Sequence, residues 1–219
     1  MNSEYLKIPL PDWSTGESPF LPKNLAKLYT RPDQFFSSNL ALINPLNYLL
    51  AVWILGLGFL FLVPLWMAGL LHGTLIDLYL PILIFGVIFG GILFFLGGLG
   101  YLIRLNLAIG NRPGGSDIWV LFLYLSLIWA LPALLMGPVE ILSIAYLSEP
   151  VSLSLVFFLV EFMLIALYSR SIIISHRTVI AIFKVKEKQA RFLFLILPHA
   201  IPLTLLGFLC YVTFQSLQR

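Results

Sequence analysis

What this sequence lacks is charge. Only 11% of its 219 residues are Asp, Glu, Lys or Arg, while 60% are hydrophobic. Soluble domains carry about 25% charged residues, so a water-exposed surface cannot be built from this chain. No Lys or Arg occurs between Arg31 and Arg104, or again between Arg112 and Arg170. The net charge is only +3 and forms no patch away from the apolar segments, so nucleic-acid binding has no support. Cysteine is nearly absent. Cys210 stands alone, which excludes an internal disulfide and leaves it as a small apolar residue in a helix. No apolar run opens the chain, so no cleavable leader is expected and the first spanning helix does the targeting.

Recognisable catalytic patterns are also missing. There is no Gly-x-Ser-Gly, no pair of facing intramembrane aspartates beyond the single Asp77, and no phosphate loop. The segment Asn111-Arg-Pro-Gly-Gly-Ser-Asp117 reads as a tight turn instead. Catalysis is therefore unsupported, and no cofactor is expected. Histidine is limited to His72, His176 and His199. The topology derived below puts these outside, inside and within the membrane, which excludes a three-histidine metal site.

What is present is a series of apolar runs. A spanning helix needs ~20 mostly apolar residues, and five stretches qualify: about 48–71, 78–103, 118–146, 151–174 and 192–214. Five Trp and nine Tyr suit a protein with two membrane–water interfaces. Cytoplasmic connections attract Lys and Arg. The N-terminal segment holds Lys7, Lys23, Lys27 and Arg31, the second connection Arg104 and Arg112, and the fourth Arg170, Arg177, Lys184, Lys186, Lys188 and Arg191. The first and third connections have none, and the tail has Arg219 alone. This alternation predicts an all-α polytopic bundle of five spans, N-terminus in and C-terminus out.

Residues 1–46 form a cytoplasmic segment ahead of a transmembrane domain over 47–219. Within it, Leu25, Leu28 and Tyr29 share a face and Pro32 can open a further turn, which predicts a short helix lying on the leaflet. The connection Ser175–Arg191 reads as amphipathic, with Arg177, Lys184, Lys186, Lys188 and Arg191 offered to lipid headgroups or a partner.

Several side chains stand out inside the spans. Gly86, Gly90 and Gly97 line one side of the second span, and Gly86-Val-Ile-Phe-Gly90 is a small-xxx-small motif for close helix approach, within the bundle or between two copies. Pro132 and Pro138 predict a kink or break in the long third span. Pro198 and Pro202 flank His199 and free backbone carbonyls, one of which the histidine can bond. Glu161 is the one carboxylate deep in a span, and an acid at that depth is a candidate by default, with His199 or Arg104 as partner.

The order of these features resembles the Yip family (Ypt/Rab-interacting proteins), in its compact prokaryotic branch. Tyr29-Thr-Arg-Pro-Asp-Gln-Phe-Phe36 is similar to the family's T-x-P-x-x-F-F segment before the first span. A Gly-rich second span then leads to the turn Gly110–Ser116, and Tyr124-Leu-Ser126 with Ala130-Leu-Pro132 resembles the Y-S…P signature of the third. The likeness runs over about residues 28–215. Asp77-Leu-Tyr-Leu-Pro81 falls on the opposite side from the eukaryotic D-L-Y-G-P signature, so direct Rab binding is not implied. The resemblance implies a non-enzymatic, multi-pass protein that acts by helix packing and partner binding, in traffic-like membrane organisation or as a complex subunit. Its partners would be the bilayer and another membrane protein or a second copy. A prokaryotic inner membrane is the expected location, with an ER or Golgi membrane as the alternative. The competing expectation is a small transporter or permease subunit using Glu161 and His199.

Overall fold

The computed structural model describes residues 12–61, 75–110, 115–146 and 150–217. Within its helices, the side chains of 61, 75–83, 115–116, 137–146, 150–157, 161, 201–202, 209, 213 and 216–217 stand outside that description. The described chain is helical: α1 Pro22–Thr30, α2 Pro32–Ser37, α3 Pro45–Phe61, α4 Leu75–Ile109, α5 Gly115–Tyr146, α6 Pro150–Phe183, α7 Glu187–Ala190, a π-helical turn Arg191–Ile196, and α8 Leu197–Leu217. A single backbone bridge, Glu17 to Leu40, is the only strand-like pairing among the described residues.

Helices suit this composition because each backbone N–H and C=O is satisfied within its own segment, which hydrocarbon surroundings demand. Four described stretches are long and apolar enough to cross a membrane: Ile84–Ile109, Asp117–Met136, Phe158–Phe183 and Glu187–Val212. The apolar helix Pro45–Leu60 is shorter. These features fit a protein that passes a membrane several times.

The helices outrun the hydropathy boundaries at one end. α4 continues past Ile103 to Ile109 and α6 past Ile174 to Phe183. Both carry arginine into the helix, because Arg104, Arg170 and Arg177 find carbonyls, rings or solvent without leaving helical geometry. The amphipathic connection expected over 175–191 is therefore largely the end of α6. Its apolar residues Val179, Ile182, Phe183 and Val185 are buried in the core.

Of the expected kink or break at Pro132 and Pro138, a break does not occur, because α5 is helical through both. A proline removes one hydrogen bond, which a helix clamped by neighbours can tolerate. Leu127, Ile128, Ala130 and Ala133 are all fully buried around Pro132. A register irregularity, the π turn Arg191–Ile196, lies just ahead of Pro198.

The N-terminal segment shares the bundle's core. Pro22 and Pro32 open α1 and α2, where a missing N–H costs nothing. Leu28, Phe35 and Phe36 are fully buried, in one cluster with Tyr124 and Leu127 of α5. Trp13 Nε1 donates to Phe36 O at 3.1 Å, Tyr124 Oη to Leu42 O at 2.9 Å, and Tyr29 Oη to Leu127 O at 3.1 Å. The apolar side of α1 is thus occupied by protein.

Candidate functional site in the bundle interior

Close helix packing sets the walls of the interior. A Cβ added at Gly56 would overlap the Gly86 carbonyl and the Gly90 backbone, and one at Gly90 would overlap the Val52 carbonyl. Gly86 receives Leu57 in the same way. The small-xxx-small motif therefore packs α4 onto α3 within one chain. Gly97 receives the ring of Phe122, and its neighbour Gly98 that of Trp119. Gly56 supplies the other half of the crossing and Gly58 meets Ala130. A sequence search for Gly-x-x-x-Gly passes over both, because they are spaced by two.

At the opposite wall the chain enters α8 through the π turn. The Leu197 N–H bonds Phe192 O, five residues back. In that register the Leu193 carbonyl awaits the N–H of residue 198, which is a proline and has none. Arg104 fills the place: its Nη1 donates to Leu193 O at 3.5 Å, and its Nε donates to Gly100 O at 3.2 Å. The guanidinium also lies over the rings of Tyr101 and Phe194, 5.6 and 5.4 Å from their centroids. The described ion pairs are Lys23–Glu17 and Arg191–Glu187, and Arg104 belongs to neither.

Two adjoining chambers meet at this arginine. The smaller, about 70 Å³, is lined by Tyr101, Ser171, Ser175 and Pro198 among others. The larger, about 340 Å³, is lined by residues of all five long helices, including Leu55, Leu93, Ile165 and Leu205. Arg104, Phe122, Ser126, Trp129 and Tyr168 line both. The polar groups are held by hydrogen bonds: Ser175 Oγ to Tyr101 Oη at 3.2 Å, Ser171 Oγ to Tyr168 O at 2.7 Å, and Ser126 Oγ to Phe122 O at 2.8 Å. Trp129 meets Tyr168 edge to face at 5.7 Å.

His199 follows Pro198 on α8, and its Nδ1 bonds Leu195 O. A carbonyl can only accept, so Nδ1 carries a proton in this contact. His199 does not line either chamber. Glu161 lies in α6, but its side chain falls outside the described residues, as do the side chains of Pro138 and Pro202. Arg177, Lys184, Lys186, Lys188 and Arg191 are all solvent-exposed around the turn from α6 to α7. Lys184 holds a left-handed backbone, φ 54°, where the chain reverses.

The interior cation was the residue least visible beforehand, because counting charges by connection assigned Arg104 to a loop. Its signal was position, as the first basic residue after Arg31, set in an apolar run from Tyr101 to Leu107. Compared with known proteins, the chain matches no family model, no curated protein and no solved structure.

Proposed function

We propose that this chain is a five-span integral membrane protein, N-terminus in the cytoplasm, that works without catalysis by binding another membrane protein or a second copy, in the manner of the Yip family. The observation that supports it is the ordered basic end of the molecule. The N-terminal segment is built into the bundle through Trp13, Tyr29 and Tyr124, and five exposed cations stand around the α6–α7 turn. A preformed, positively charged face binds an acidic partner surface without first ordering a loop.

Two measurements test this. In a Cys210→Ala background, Lys188→Cys should react with a membrane-impermeant maleimide only from the cytoplasmic side, and Gln218→Cys only from the other. Labelling of both from one side would remove the five-span topology. After isolation in native lipid, a partner or second copy should co-purify, and replacing Lys184, Lys186 and Lys188 by Glu should release it. A monomer without companions in native lipid would end the binding reading.

The second reading, a small transporter or permease subunit, draws support from the interior chambers and the π turn beside His199, since π turns cluster at functional sites. It requires Glu161→Gln to reduce uptake or proton coupling in vesicles, and unchanged flux would eliminate it.

A further inference from the structure

The chambers at Arg104 combine two chemistries in one space. One end offers a cation with donors to spare. A guanidinium has five N–H donors, and the described bonds to Leu193 O and Gly100 O use two. The Trp129 indole N–H and the Tyr168 hydroxyl line the same space, and neither bonds a described residue. The other end is hydrocarbon, walled by Leu55, Phe59, Leu93, Ile165 and Leu205. At about 340 Å³ the larger chamber falls within the range of small-molecule sites, roughly 300–1,000 Å³. Leu205 of α8 lines this chamber and is 42% exposed, so the chamber is not sealed on that side.

We propose that this cavity binds a single-chain, monoanionic amphiphile, with its carboxylate on Arg104 and its tail in the larger chamber. Charge selects the headgroup. Among the described residues, Arg104 is the one charged residue lining either chamber. A single carboxylate neutralises it, whereas a phosphate monoester would leave excess negative charge in an apolar enclosure. Planarity selects it too, because a carboxylate takes two parallel bonds from a guanidinium edge. The inference stands apart from the partner-binding reading, since it concerns the interior and that reading concerns the basic end.

The test uses the full chain in lipid nanodiscs with a photoreactive decanoate analogue as probe. The label should map to α3, α6 and α8 residues around the larger chamber. Decanoate should compete, while acetate, decanol and decyl phosphate should compete at least about tenfold less well, the loss expected for a charged hydrogen bond or for an unmatched charge. Acetate competing as well as decanoate would point to a free anion and overturn the amphiphile. Decanol competing equally would overturn the role of the cation, and decyl phosphate competing better would overturn the monoanion. Arg104→Gln should cut decanoate labelling about tenfold and leave labelling by a photoreactive decanol intact, which reports a chamber that is still folded. If that variant loses both labels, Leu205→Trp decides: filling the chamber from its edge should abolish decanoate labelling, and unchanged labelling would refute the site.

Discussion

Two stretches of nearly equal hydropathy meet opposite surroundings in this protein. In an apolar 18-residue window of Asp117–Met136 in α5, 67% of the residues are buried against the rest of the chain, whereas in the corresponding window of Glu187–Val212, which ends in α8, only 13% are. Hydropathy reports that a residue avoids water. It does not report whether protein or lipid replaces the water, because hydrocarbon is as apolar as leucine. α5 is the helix on which the others are built: α3 meets it at Gly58, α6 at Trp129, and the N-terminal segment at Tyr124 and Leu127. α8 instead presents Leu203, Phe208, Tyr211 and Phe214 outward.

The sharpest way to break this contrast is a matched pair of truncations. Leu127→Ala, at a fully buried site on α5, should cost about 2–5 kcal/mol of unfolding free energy in mixed micelles. Leu203→Ala, 67% exposed on α8, should stay within about 0.5 kcal/mol. Equal losses would mean that α8 is packed in the protein after all. A second pair probes α4, which has both kinds of face. Gly90→Leu drives a side chain into the Val52 carbonyl, while nothing lies within 4 Å of a Cβ at Gly91. Thermal unfolding should show a loss of about 1–3 kcal/mol for the first and little change for Gly91→Leu.

A smaller effect is expected at the joint between the N-terminal segment and α5. Tyr124→Phe removes the bond to Leu42 O and should cost about 1 kcal/mol, read most directly as faster proteolysis around residues 38–44. The last is a pH effect. Burial pushes the Tyr29 hydroxyl up to about 12, while a tyrosine in the unfolded chain ionises near pH ~10. Between those values the unfolded chain sheds a proton that the folded one keeps, so stability should fall as pH rises through this window. Tyr29→Phe should flatten that part of the profile, and an identical slope in wild type and variant would place the ring in solvent.

Much of the helix layout was legible beforehand. The expected stretches 118–146 and 151–174 correspond to α5 and α6, and the prolines at 22 and 32 open α1 and α2. Those features depend on local chemistry: the length of an apolar run, a ring that fixes φ, a missing donor where none is needed. Legibility ended where the outcome depended on a neighbour. Pro132 passes within a helix because side chains clamp it, while Pro198 follows a π turn whose freed carbonyl Arg104 reaches from α4. Gly86 and Gly90 pointed to packing within the bundle, with a second copy as the alternative, and Gly56 of the same chain is what meets them.

By itself, then, the sequence determined that this chain is helical and apolar, because unbroken apolar runs of about 20 residues satisfy their backbone groups internally as helices. Only the tertiary structure decided which apolar helix became the core, where the N-terminal segment lodged, and that an arginine counted as part of a loop stands inside the bundle. Each of those outcomes depends on which surfaces meet in space. A contact between residues such as 104 and 193, or 29 and 127, leaves no trace in the local pattern of either segment.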